Sequence, residues 1–125
     1  MAEKKYIRFV VGTNREEMRA QTGVIVELRL LRESGDLPDY ESKRVEEIFD
    51  WLNENLPCPP FQEKNWSRDA ISWFKDSAQD MIRVFREIIV MLEEYGRPVR
   101  TITTRKPGMI LYEDDYQVVA QSREF

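Results

Sequence analysis

The side chains best suited to holding an anion stand in one polar segment, Gly12 to Gly23, which carries Arg15, Arg19 and Thr22. A guanidinium grips a phosphate or carboxylate through paired hydrogen bonds, and a helix starting after such a loop adds backbone N–H donors. The glycines at the two ends are too far apart for a phosphate-binding loop or a dinucleotide fingerprint. At about ten residues the segment exceeds the usual connection between elements, and long loops more often carry function. Asn14 followed by Glu17 would also suit a capping box, so a helical turn fits the segment as well as a loop does. Arg15, Arg19 and Thr22 are the expected ligand-binding residues.

A second group is Glu113-Asp114-Asp115, flanked by Tyr112 and Tyr116. Clustered carboxylates can hold a hard divalent ion, but this spacing is not that of a calcium loop. Asp and Glu also serve turns without any ligand. The turn itself accounts for them, the other use being an acidic surface offered to a partner, and no metal site is expected. Pro38-Asp39 before Glu41-Ser42-Lys43 has the residue types of a metal-dependent nuclease pattern, compressed into a first helical turn where residues two apart point in different directions. A helix start explains it better.

Cys58 is the single cysteine, set among Pro57, Pro59 and Pro60, and the chain contains no histidine. A thiol nucleophile needs a base or helix N-terminus to lower its pKa, and neither stands near. Without histidine the commonest general base and the commonest transition-metal ligand are both missing. No catalytic residue and no cofactor is expected. One cysteine excludes an intrachain disulfide and suits a reducing cytoplasm. The apolar stretch Tyr6 to Val11 is too short for a signal sequence or a membrane span, so neither export nor membrane insertion is expected. Net charge is −4, from 23 acidic and 19 basic residues without a basic block, which does not favour nucleic acid.

These groups must be positioned by a chain of 125 residues, 42% hydrophobic and 34% charged, a profile that predicts one domain over residues 1–125. Lys5 to Val11 alternates as a strand, with Ile7, Phe9 and Val11 on one side and Tyr6, Arg8 and Val10 on the other. Val24, Ile25, Leu28 and Leu31 predict a helix over Gly23 to Ser34, with a strand as the alternative at Val24-Ile25-Val26. Val45, Ile48, Phe49, Leu52 and Leu56 define a second helix, which the prolines after it stop. A third is predicted from about Ser67 to Gly96, on the stripe Ile71, Phe74, Ala78, Ile82, Phe85, Ile89 and Leu92. Trp51 and Trp73 lie beside these stripes and Trp66 is expected at the core edge.

After Gly96 the period changes from helical to alternating. Val99 to Arg105, Met109 to Tyr112 and Tyr116 to Gln121 predict a three-strand meander. The expected fold is α+β in the order β-α-α-α-β-β-β, with a mixed four-strand sheet and the helices on one face. The expected function is that of a non-catalytic accessory or regulatory module acting through protein contacts, with another protein or a second copy as partner. An anion-binding domain or histidine-free enzyme is the alternative.

Overall fold

Alternating residues form the first strand, β1 (Tyr6–Val11), of a computed structural model that describes residues 5–11, 22–60, 66 and 70–121. A two-residue strand, β2 (Thr22–Gly23), pairs with its end, and the chain turns directly into helix α1 (Val24–Glu33). Val24, Leu28 and Leu31 make the buried stripe of α1, so helical burial prevails over the strand preference of the β-branched start. Gly35, at φ 80°, supplies the left-handed turn that ends it. Helix α2 (Asp39–Asn55) follows, with Asp39 and Glu41 in its first turn, where negative charge suits the exposed N–H groups. It buries Val45, Ile48 and Leu52, and stops before the prolines as predicted.

The third helix is shorter than its stripe suggested. Ala70–Lys75 is a strand, β3, and helix α3 runs only over Gln79–Glu94. Ile71, Trp73 and Phe74 are strand formers, and Phe74 faces the core in either conformation. What decides is the backbone. Residues 70–74 pair with 117–121, while Asp76 N donates to Lys5 O and Ala78 N to Lys75 O, closing a turn before the helix. Within α3 the expectation holds: Met81, Ile82, Phe85, Ile88, Met91 and Leu92 are buried, and each fully hidden large side chain contributes roughly 1.5 to 3 kcal/mol. Phe85 stacks beside Phe9 and meets the Phe74 ring edge-on at 4.7 Å.

The remaining strands are β4 (Val99–Thr104), β5 (Met109–Glu113) and β6 (Gln117–Gln121). They exist as predicted but do not form a meander. Only β5 and β6 pair with each other; β4 crosses to pair all six residues of β1. Because β4 occupies one whole edge of β1, β2 and β3 share the other, at opposite ends. The principal strand order is therefore β4-β1-β3-β6-β5, and every pairing is antiparallel rather than mixed. The expectation of a mixed sheet rests on three helices bringing Val99 to Arg105 back parallel to the first strand; the strand lies antiparallel to it, for a physical reason. Residues 70–75, near the start of the supposed third helix, instead cross the sheet as a strand, which reverses the sense of everything after them. The strands β3 and β4 run in the same direction through the single helix α3, with β1 inserted between them.

Antiparallel partners share a face, which sorts the sheet into two sides. Ile7, Phe9, Val11 and Phe74 face the helices. Tyr6, Arg8 and Val10, with Arg100 and Ile102 from β4 and Trp73, Val118 and Ala120 beyond, lie on the second face. That face is not an open surface: Val10 and Val118 have no exposure and Ala120 has 1%. The sheet is also not flat. Residues 105–108 carry the chain from one edge strand to the other, a reach of at most about 18 Å. Across a flat sheet the same two points would be roughly 25 Å apart, given about 4.8 Å per strand and about 3.3 Å per residue. The sheet therefore coils, bringing β4 and β5 towards each other.

Candidate functional site

Of the anion-binding residues expected from the sequence, Arg15 and Arg19 lie outside the described residues. Thr22 is the first residue of β2, its backbone paired with Val11. The structure does describe the acidic turn, and it sends the three carboxylates different ways. Glu113 reaches Lys75 Nζ at 2.6 Å, Asp115 is exposed, and Asp114 turns inward. Asp114 Oδ1 accepts hydrogen bonds from Tyr116 N at 2.8 Å and Gln117 N at 3.0 Å, and Oδ2 accepts from Tyr112 Oη at 2.9 Å and Gln117 Nε2 at 3.1 Å. Burial pushes the Asp114 carboxyl up, but these donors outweigh it and hold the group below its ordinary range. Asp114 in turn holds the Tyr112 phenol above its usual value, by accepting its hydrogen bond.

Gln117 is the centre of this network. It is buried, its Nε2 also donates to Pro57 O at 2.7 Å, and its Oε1 accepts from Ser72 Oγ at 2.8 Å. One amide thereby ties β3, the proline segment after α2 and the β5–β6 turn. Trp66 lies half-buried against Tyr112, 6.3 Å between ring centres, which agrees with a place at the core edge. Trp51 packs against the core, whereas Trp73 belongs to the second face of the sheet rather than to a helix stripe. Cys58 is exposed. No three acidic or cysteine side chains gather to hold a metal among the described residues.

Two depressions flank α3. The larger, about 570 Å³, has Ile48, Trp51 and Val84 in its lining, together with Arg44, Glu47, Asp80, Arg83 and Glu87. These charges satisfy one another. Arg44 makes a two-pronged contact with Glu87, with NH2 to Oε1 at 2.7 Å, and this bond holds Glu87 below its usual range. Arg83 meets Asp80 at 2.7 Å. The smaller, about 330 Å³, lies between Glu41 and Glu94 over Val90 and Met91. Neither gathers uncompensated polar groups around a point where a ligand atom would sit.

Two other features stand out instead. The first is the edge strand β4, six residues in unbroken register with β1 and paired on no other side among the described residues. Strand β5, at the other edge, carries a bulge between Ile110 and Tyr112, which blunts an edge. The second is the pair Arg8 and Arg100 on the second face. Alternation in both strands was the available signal, since Tyr6 and Val10 flank Arg8 on one side. No helix among the described residues is long and apolar enough to cross a membrane. Comparison with protein-family models, with curated proteins and with solved structures found no match.

Proposed function

We propose that this chain is a non-catalytic cytoplasmic module that works by receiving an extended segment of a partner protein along β4. The observation that carries the reading is the contrast between the two sheet edges. An open edge is a row of unpaired N–H and C=O groups that invites another strand, and proteins normally blunt such edges with bulges, prolines and charges. Edge β5 is blunted by its bulge, whereas β4, which like β5 follows a proline, reads Val-Arg-Thr-Ile-Thr-Thr in unbroken register with Arg100 as its one charge. Main-chain pairing would supply affinity, and the exposed Thr101 and Thr103 would lie beside the incoming strand. Strands β4 and β5 run in the same sense, so a segment antiparallel to one is antiparallel to both. The histidine-free sequence supports a binding rather than a catalytic role, and its lone cysteine supports the cytoplasmic location.

The test is a double substitution, Thr101→Lys with Thr103→Lys. Both sites are exposed, so stability should change by less than about 1 kcal/mol. Capture from the native host, run in parallel with wild type and variant, should yield a partner that the variant loses; light scattering over a range of concentrations shows whether that partner is a second copy. A wild-type protein that stays monomeric and captures the same set of proteins as the variant defeats the reading.

A further inference from the structure

Arg8 and Arg100 are brought together only by the fold. Arg8 stands opposite Ile102 and Arg100 opposite Val10, so the two arginines are diagonal neighbours on the second face of β1 and β4. Diagonal neighbours of this kind are about 7 to 8 Å apart, and like charges so placed repel. Each is at least half-buried, which weakens solvent screening. Neither forms an ion pair among the described residues, and Arg100 Nε is buried without any hydrogen-bond partner. Burial pushes the Arg8 guanidinium below its usual value, which is the mark of a charge that has lost water and gained no compensation. The acid nearest in register on this face, Glu113, is bound to Lys75.

An acidic chain of net charge −4 thus keeps two adjacent guanidinium groups on a sheet face with no carboxylate paired to either among the described residues. Their ten N–H donors, five on each side chain, form two planar forks, and forks of this kind match the oxygens of a phosphate. Charge decides between the oxyanions. Two cations balance a phosphate group carrying about −1.5 to −2 near neutral pH, whereas a single carboxylate balances one. We infer that Arg8 and Arg100 form a binding site for a dianionic phosphate group, carried either as free phosphate or as a phosphomonoester. The inference stands on observations separate from those that support strand addition at β4, and either can fail alone.

Phosphate also stabilises proteins by exclusion from their surfaces, so a rise in melting temperature does not serve as the readout. Phosphorus NMR and calorimetric titration do. Inorganic phosphate, methyl phosphate and acetate are titrated into the wild type and into Arg8→Gln, Arg100→Gln, Arg100→Lys and Arg83→Gln. The wild type should bind phosphate saturably, one to one, and acetate at least tenfold more weakly. Arg8→Gln and Arg100→Gln should each lose tenfold or more, while the exposed Arg83→Gln keeps wild-type affinity. If the glutamine variants fail to fold, Arg100→Lys decides: it keeps the charge but not the fork, and should weaken binding several-fold. Tighter binding of methyl phosphate than of phosphate would assign the site to an ester. Absence of saturable phosphate binding, equal affinity for acetate, or unchanged affinity in folded Arg100→Lys overturns the inference.

Discussion

Asp114 shows how much structural work one side chain of an acidic turn can perform. Its oxygens accept four hydrogen bonds from Tyr112, Tyr116 and Gln117, and Gln117 extends the network to Ser72 and Pro57. Hydrogen bonds to a charged acceptor contribute more than neutral ones, and a donor left buried without its acceptor costs desolvation as well. Asp114→Ala should therefore destabilise the fold by about 2 to 3 kcal/mol in urea unfolding, and Asp115→Ala, at an exposed site, by under about 0.5. The pH dependence follows from the direction of the shift. The folded-state pKa of Asp114 lies below its ordinary 3.8, so its stabilisation is complete above that value and is lost as the pH falls through the lower folded one. Glu87, held down by Arg44, acts in the same sense below the ordinary 4.5 of a glutamate, although its exposure makes its share small. Asp114→Asn should flatten the acid limb of a stability profile over the interval below pH 3.8. A profile parallel to wild type over that interval would remove Asp114 from this role.

Among the elements, α3 binds the two layers, and Phe85 is its point of contact with β1 and β3 through Phe9 and Phe74. Phe85→Ala should cost about 3 to 5 kcal/mol by denaturant unfolding, since the cavity opens in the middle of an aromatic cluster. Helices α1 and α2 were legible because each buries one stripe and ends at a residue that cannot continue it, Gly35 in one case and the proline segment in the other. The boundary of α3 was not. Ile71, Phe74 and Ala78 step by three and four, yet Phe74 reaches the same core from a strand, so its burial does not distinguish the two periods. The strand formers Ile71, Trp73 and Phe74, followed by Asp76-Ser77, were the local sign of a strand and a turn. Register was not legible at all. The partnership of Arg8 with Arg100 depends on β4 crossing to β1, and no local pattern in Val99 to Thr104 names its neighbour.

At the scale of the whole molecule, the sheet is shaped by the four residues 105–108 as much as by its ladders. They join the two edges of the principal five-strand order, from the level of Tyr6 and Lys75 to the level of Ala70 and Gln121. A link of this length forces the sheet to coil, and the coiling accompanies a second face whose Val10 and Val118 are hidden from water. Lengthening and shortening the link should therefore have unequal effects. Inserting two glycines between Lys106 and Pro107 adds closure entropy of only a few tenths of a kcal/mol, about 0.6 for a full doubling of a loop. Deleting Lys106 and Pro107 leaves a reach of roughly 11 Å, too short to connect the edges unless β5 leaves β6 or β4 leaves β1. The insertion should leave the unfolding midpoint nearly unchanged. The deletion should destabilise by several kcal/mol and, in hydrogen exchange, release the amides of one edge strand. Equal tolerance of the two changes would mean that the link is slack and that the coil of the sheet arises from the strands alone.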